Sequence, residues 1–510
     1  MTSARSVPDP DPRPLDWLIE GGEADAPALI LRDKILTFQE ARDRVGALAG
    51  WLCQNLSKGD RVASWVAKTE LACFMPLAAA RAGVVHVPIN PLLKRAQVAH
   101  ILADCGARML IATMARMASL EDGDTPEDCV LLTEEEAWSS VEEVKENLGP
   151  SSHDPEDLVA ILYTSGSTGS PKGVMLNHAN LWLGAASVAH YLGLGADDVT
   201  LAVLPLSFDY GQNQLLSTWY AGGSVVPLDY LFAKDVAKAC AKHSVTTLAA
   251  VPPLWVQLLE VDWPAEAVAS MRRLTNSGGA LTIEIVSGLQ DKLPQSDIFP
   301  MYGLTEAFRS TYLDPALVDE FPTSMGRAIP FAEILVIDDN GEVCGPEQEG
   351  ELVHCGPLVA QGYWNDPRRT AERFKPAPAA SHYGGTAVWS GDRVMRAENG
   401  LLYFVGRRDA MIKSSGNRIS PQEIESAALA TGLVAEAVAL GVPDERLGHA
   451  IHLVVRAASG TEEVGKDLQK ALARDLPNFM QPHVIHWRDA MPLNPNGKID
   501  RTALAKEIAA

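Results

Sequence analysis

The sequence predicts an α/β fold. A large N-terminal domain of parallel sheets flanked by helices carries a small β-barrel-like part, and a small, mobile α+β domain follows it. Three observations lead there: strand-length apolar runs alternate with helical stretches over most of the chain, turn-rich alternating segments appear from about Gly326, and the texture changes again after "LLYFVGRRDAMIK". In chain order, "RVASWVA" reads as a strand, "TELACFMPLAAARAG" as a helix and "VVHVPI" as the next strand. The same rhythm recurs in "DVTLAVLPL", "GQNQLLSTWYAGG" and "SVVPL". A β-α-β alternation predicts parallel sheets with helical crossovers. In "AEILVIDDNGEVCGPEQEGELVHCG", the turn signals Asp339-Asn340-Gly341 and Glu349-Gly350 separate alternating runs, which predicts antiparallel hairpins. The last stretch holds helix "SPQEIESAALA", strands "VAEAVALGV" and "AIHLVVRA", and helix "TEEVGKDLQKALARDL". The expected boundary falls at Asp409, giving domains 1–408 and 409–510.

Composition narrows the function. The chain has 510 residues and is 47% hydrophobic, enough for large buried cores. A net charge of -22 opposes nonspecific nucleic-acid binding and attachment to an anionic membrane. The seven cysteines contain no C-x-x-C pair, which argues against a disulfide framework or zinc ribbon and fits a reducing cytoplasm. The proline-rich, acidic "MTSARSVPDPDPRPLDW" is not a signal peptide. The most apolar stretch is broken by Lys68, Glu70 and Arg81, so no membrane insertion is expected.

"YTSGSTGSPKGV" sets Thr164, Ser165, Gly166, Ser167, Thr168 and Gly169 ahead of Lys172. It reads either as a Gly/Ser tether or as a loop whose backbone N–H groups wrap phosphate oxygens. The flanks, strand "LVAILY" and helix "HANLWLGAASVAHYL", favour a strand-to-helix phosphate loop, although no Walker A sequence occurs. Three more stretches stand out. "MYGLTEAF" places Thr305 and Glu306 after a Tyr-Gly turn, "VWSGDRV" places Asp392 at a strand end, and "NPNGKIDR" places Lys498 in an exposed turn. Each has an ordinary reading as a first-turn acid, a turn residue or a solvated lysine.

Together with "GRRDAMIKSSGNRISPQEIE", these motifs resemble the adenylate-forming superfamily: acyl-CoA synthetases, amino-acid adenylation enzymes and luciferase-like enzymes. The resemblance runs from about Leu15 to the end. It implies an AMP-forming acid–thiol ligase. A carboxylate attacks the α-phosphorus of ATP, pyrophosphate leaves, and a thiol of CoA or of a carrier's phosphopantetheine takes the acyl group. Anion meets polyanion, so the site must supply positive charge.

The resemblance implies a role for each matching residue. Lys498 would reach the carboxylate and α-phosphate, and Glu306, with Thr305, would hold Mg²⁺. The loop from Thr164 to Lys172 would cradle phosphates. Gly278, Gly279 and Ala280 would line the adenine, Tyr302 would stack on it, Asp392 and Arg407 would meet the ribose, and Arg418 would approach phosphate. Asp409 would be the hinge of a domain swing that exchanges Lys498 for a thiol tunnel around Gly416. Many relatives carry an asparagine where this chain has Pro300, which puts side-chain recognition of adenine in doubt there.

The acid pocket is expected around "LPLSFDYGQNQL", where Asp209 either binds a substrate ammonium or caps the following helix. Arg309 either pairs with Asp209 or binds a polar or anionic group. Tyr210, Asn213, Ala250, Thr275, Ser277 and Ser310 would complete the wall. The lining favours an amino acid or small polar acid, with a fatty, medium-chain or aryl acid as the alternative. The texture also resembles free-standing exosortase-associated ligases and prolyl ligases that load carrier proteins. A luciferase-like oxidising enzyme and a noncatalytic binding protein are the other readings; Lys498, Glu306 and Asp392 oppose the last.

Overall fold

A computed structural model describes residues 8–144, 146–164, 171–407, 412–414, 417–444, 447–458 and 465–509. The expected parallel sheets are present. A nine-stranded sheet runs in the order 327–328, 311–312, 297–302, 273–276, 247–250, 199–202, 224–227, 27–30, 35–37. Its six inner strands are parallel, from Asp297–Tyr302 across to Pro27–Ile30, and its edges antiparallel. A seven-stranded sheet is built likewise, with Val85–Pro88, Arg61–Trp65, Met109–Ala112 and Val130–Thr133 parallel. Strands covered on both faces read as continuous apolar runs, which is why they were legible.

Helices Glu70–Ala82 and His178–Leu192 are almost wholly buried, and a single hydrophobic core joins them to residues of both sheets. Their ends follow local chemistry. Asn177 and Asn180 form a reciprocal capping box, and Gly193 closes the same helix in the left-handed region. The barrel-like part is a five-stranded antiparallel sheet of Glu333–Ile337, Glu349–Cys355, Phe374–Pro376, Thr386–Arg396 and Leu402–Arg407. The C-terminal part carries its own three-stranded sheet, helices Pro421–Leu429 and Gly465–Asp475, and a separate core around Ile424, Ile451 and Leu468.

Two expectations need correction. The strand Leu158–Thr164 does not lead into a helix. It pairs antiparallel with Lys172–Asn177, Thr164 opposite Lys172, and only then does the helix begin. The segment between them therefore joins two paired strands, and the helix begins only at His178. The cause is the apolar "KGVMLN" segment, whose buried Gly173, Val174 and Leu176 complete the sheet. Asp392 lies inside the strand Thr386–Arg396, opposite Arg407, and not at a strand end.

Candidate active site

The parallel strands of the nine-stranded sheet end at Ala250, Asn276 and Tyr302, and the predicted residues cluster in the loops that follow. Ligand sites in open α/β sheets form at such carboxyl ends, where side chains of successive loops converge.

Glu306 sits in the 3-10 turn Thr305–Ala307. Its Oε1 accepts from Lys172 Nζ at 2.8 Å and from the Tyr363 hydroxyl at 2.6 Å. Lys172 also donates to Tyr363 at 2.7 Å and lies over its ring. Burial pushes the Glu306 carboxyl up, but the Lys172 ammonium and the bonds from Lys172 and Tyr363 outweigh it and hold the pKa below its ordinary value. The group is thus an ionised hard-oxygen donor, with both bonds on one oxygen, a donor that suits a Mg²⁺ ion sharing substrate phosphates. Tyr363 escaped sequence reasoning. It lies 57 residues from Glu306 and arrives only through the short pairing of Gly362–Tyr363 with Val174–Met175.

Beside it, the Tyr302 hydroxyl donates to Asp392 Oδ2 at 2.5 Å, and Arg407 Nε lies 3.1 Å from Asp392 Oδ1. Burial and the Asp392 charge keep the Tyr302 phenol protonated. Gly278, Gly279 and Ala280 form an exposed loop after strand Arg273–Asn276. The Pro300 carbonyl accepts from the Leu313 amide at 2.8 Å, which leaves it one further lone pair.

Lys498 is not the solvated lysine its turn suggested. It is half-buried, with Nζ 4.6 Å from the centre of the Phe208 ring. It crosses Gly278 so closely that a Cβ there would lie 2.4 Å from Lys498 Cε. Gly278 also has φ +82, the left-handed region that favours glycine, and any side chain there would displace the Lys498 ammonium. Burial lowers the Lys498 pKa; Asp209 and Glu306 oppose the shift, while Arg309 and Arg407 add to it.

Asp209 is the first residue of helix Asp209–Tyr220 and not its cap; Phe208 is the cap and makes no capping bond. Asp209 Oδ1 instead accepts from the Thr305 hydroxyl at 2.7 Å. Arg309 is 1% exposed, and among the described residues its bond goes to Ser277 and that of Asp209 to Thr305, with no ion pair between the two, against the paired alternative. It stacks over Tyr210 at 4.6 Å and donates from Nη1 to Ser277 Oγ at 3.1 Å, while Nε and Nη2 have no hydrogen-bond partner. Tyr210 bonds Thr275 at 2.7 Å. Tyr210, Asn213, Thr275 and Arg309 share a small cavity of about 20 Å³, room for roughly one water molecule. Asn213 Oδ1 and both amide atoms of Gln214, which also lines the cavity, are likewise buried without partners. Ala250 ends its strand within the main hydrophobic core, and Ser310 is turned to His354, with which it shares a 2.9 Å bond.

Thr164 ends its strand with Oγ1 buried and unpartnered. Ser165, Gly166, Ser167, Thr168, Gly169, Gly416 and Asp409, the expected hinge, lie outside the described residues; Arg418 is described only as backbone, pairing with Lys413.

The chain matches known proteins over most of its length. The AMP-binding enzyme family matches residues 19–364, and the AMP-binding enzyme C-terminal domain matches 423–498. The chain belongs to the AMP-binding enzyme family, whose members among its relatives include acyl-CoA ligases and carrier-protein-loading ligases. It is 33% identical to the L-proline--[L-prolyl-carrier protein] ligase of Streptomyces coelicolor, over 94% of this chain and 93% of that protein. It is 30% identical over 94% of its length to tyrocidine synthase 2 of Brevibacillus parabrevis, but spans only 13% of that protein. ATP-bound MatB from Rhodopseudomonas palustris shares the fold, with a TM-score of 0.88 at 24% identity, covering 98% of this chain and 99% of that one. The o-succinylbenzoate CoA synthetase MenE of Bacillus subtilis, solved with an acyl-adenylate, gives a TM-score of 0.82 at 26% identity, covering 97% and 98%. Among the described residues no helix is long and apolar enough to cross a membrane.

Proposed function

We propose that this chain is an ATP-dependent acid–thiol ligase that activates an amino acid or another small polar acid. The carboxylate oxygen bonds to the α-phosphorus of ATP, the bond to the β-phosphate oxygen breaks, and pyrophosphate leaves with its electron pair. A thiol of CoA or of a carrier's phosphopantetheine then displaces AMP from the acyl carbon and gives up its proton. The observation that carries this reading is Lys498 lying across Gly278, within the charge field of Asp209, Glu306, Arg309 and Arg407.

In this reading the Lys498 ammonium neutralises the charge developing between carboxylate and α-phosphate. Lys172 and Tyr363 hold the Glu306 carboxylate in place, and Mg²⁺ there, with Thr305 adjacent, would neutralise phosphate charge. Asp392 and Arg407 meet the ribose, Tyr302 and the 278–280 loop meet the base, and the Thr164–Lys172 loop takes the outer phosphates. Asp409 serves as the hinge between domains 1–408 and 409–510, Arg418 approaches phosphate, and Gly416 borders the thiol tunnel. Asp209 receives an ammonium and Arg309 an acceptor group of the acid, because a buried guanidinium with unused donors is costly unless a ligand completes it. The prolyl-carrier ligase likeness makes proline one candidate and a carrier protein one acceptor. Seven free thiols favour the cytoplasm.

The test is ATP–pyrophosphate exchange over a panel of amino acids, including L-proline, and small polar, aryl and medium-chain acids. Strongest exchange with a small ammonium-bearing acid is expected. Exchange confined to fatty acids would overturn the substrate reading, and no exchange with any acid would overturn the ligase reading.

A further inference from the structure

The turn that carries Lys498 is held together internally. Gly497 N donates to Asn494 O at 2.9 Å, Asn494 N to Lys498 O at 2.7 Å, and Asn494 Oδ1 accepts from the amides of Asn496 and Lys498 at 3.0 Å each. Such a turn fixes the lysine relative to its own domain but not relative to the pocket. The pocket side supplies the missing constraint from a distant point in the sequence. Asn90 follows the strand Val85–Pro88 of the seven-stranded sheet and is 5% exposed. Its Nδ2 donates to Pro495 O at 2.8 Å and to Asn496 Oδ1 at 3.1 Å, while its Oδ1 accepts from Leu92 N at 2.9 Å.

All of the Asn90 amide is therefore used, and in one orientation. The oxygen is fixed to its own loop, which aims both N–H groups at the turn that bears Lys498. The bonds fall on Pro495 and Asn496, the residues immediately before the Gly497–Lys498 step. Farther out, Arg456 Nη1 lies 3.3 Å from Glu260, an ion pair with one half-exposed partner. Exposed pairs of that kind contribute little orientation. The buried amide is the directional contact.

We propose that Asn90 is a positioning residue for Lys498, docking its turn against the N-terminal domain and so serving acyl-adenylate formation but not thioester formation. This rests on the reading of Lys498 given above. Asn90 touches no reacting atom; it acts by setting where the ammonium stands.

Asn90→Ala removes both docking bonds, and Asn90→Asp keeps the Leu92 bond while setting a carboxylate against the Pro495 carbonyl. Two measurements decide. Amide hydrogen exchange needs no substrate: the 491–500 segment should exchange several-fold faster in both variants, with helix Pro421–Leu429 unchanged. With the acid that exchanges best in the panel, pyrophosphate exchange should fall about 10- to 100-fold, as loss of two buried hydrogen bonds predicts. The KM for ATP should hold, and thioester formation from isolated acyl-adenylate should persist. Unaltered amide exchange, or equal loss of both half-reactions, overturns the proposal. Lys498→Ala separates the two ideas: if that variant keeps full pyrophosphate exchange, the functional reading fails, while the amide data still decide whether Asn90 docks the turn.

Discussion

The two ends of the candidate site are built on opposite plans. Around Glu306 the protein completes its own polar groups: Lys172, Tyr363 and the carboxylate form a closed triangle of hydrogen bonds, and Tyr302 does the same for Asp392. Around Arg309 it does not. A guanidinium with 1% exposure keeps two donor nitrogens, Nε and Nη2, without a hydrogen-bond partner, beside unpartnered amide atoms of Asn213 and Gln214. A self-completed cluster is preorganised before any ligand arrives, so its geometry does not depend on which acid binds. An incomplete one is costly in the empty protein and cheaper with a matching ligand, which is how a pocket rejects acids lacking the right acceptor.

Lys498 stands between these ends, so its loss should have the largest effect. Lys498→Ala is expected to lower pyrophosphate exchange by about 100- to 1,000-fold, the scale for removing one preorganised charge donor. Thioester formation from supplied acyl-adenylate should survive. Equal loss of both steps would contradict the division of labour.

A paired set of variants tests the contrast itself. Lys172→Met strands the Glu306 carboxylate and should cost about 3 kcal/mol of unfolding free energy, the low end for breaking a buried pair. Arg309→Met removes a charge that forms no ion pair among the described residues and should leave stability unchanged or raise it by about 1 kcal/mol, while raising the KM for the acid about tenfold. Comparable destabilisation in both, by denaturant titration, would erase the distinction.

The fold was legible because strand and helix periods differ and because buried parallel strands leave unbroken apolar runs. The motif residues were legible as a set, since Lys172, Glu306, Asp392 and Lys498 all meet in one region. What failed has a common cause. Segment 172–177 joins a helix with no breaker between, so its pairing with 158–164 had no local signal. Tyr363 and Asn90 matter only through partners 57 and about 400 residues away in sequence. Of the two readings of Asp209, ammonium partner or cap, the cap fails because the helix starts one residue earlier than the capping pattern implies and Phe208 takes that place. Local pattern fixes elements; it does not say which polar atoms of distant loops meet.

pH offers a smaller effect that both ends share. The Lys498 pKa is lowered from 10.5, chiefly by burial, so exchange activity should fall on the alkaline side before pH 10.5. An unfolded lysine keeps its proton longer than the folded one, so this group's contribution to stability rises with pH between its folded and unfolded values. Glu306 behaves oppositely at acid pH. Its folded pKa lies below 4.5, so its contribution is present above that value and is lost as pH falls through the folded pKa. An activity profile flat up to pH 10.5 would remove Lys498 as the titrating group.

The smallest expected effect is the most discriminating. Tyr363→Phe deletes one bond to Glu306 and leaves Lys172 in place, so about 1 kcal/mol is at stake, and exchange should drop roughly three- to tenfold. The same hydroxyl also accepts a hydrogen bond from Lys172, and both residues donate to one carboxylate oxygen, so they cannot be independent. In a double-mutant cycle, Tyr363→Phe with Lys172→Met should therefore fall short of the sum of the single losses by more than about 0.5 kcal/mol. Strict additivity would mean that Lys172 and Tyr363 each act on Glu306 alone, and the triangle would be three separate contacts with no preorganising advantage over the unfinished pocket beside it.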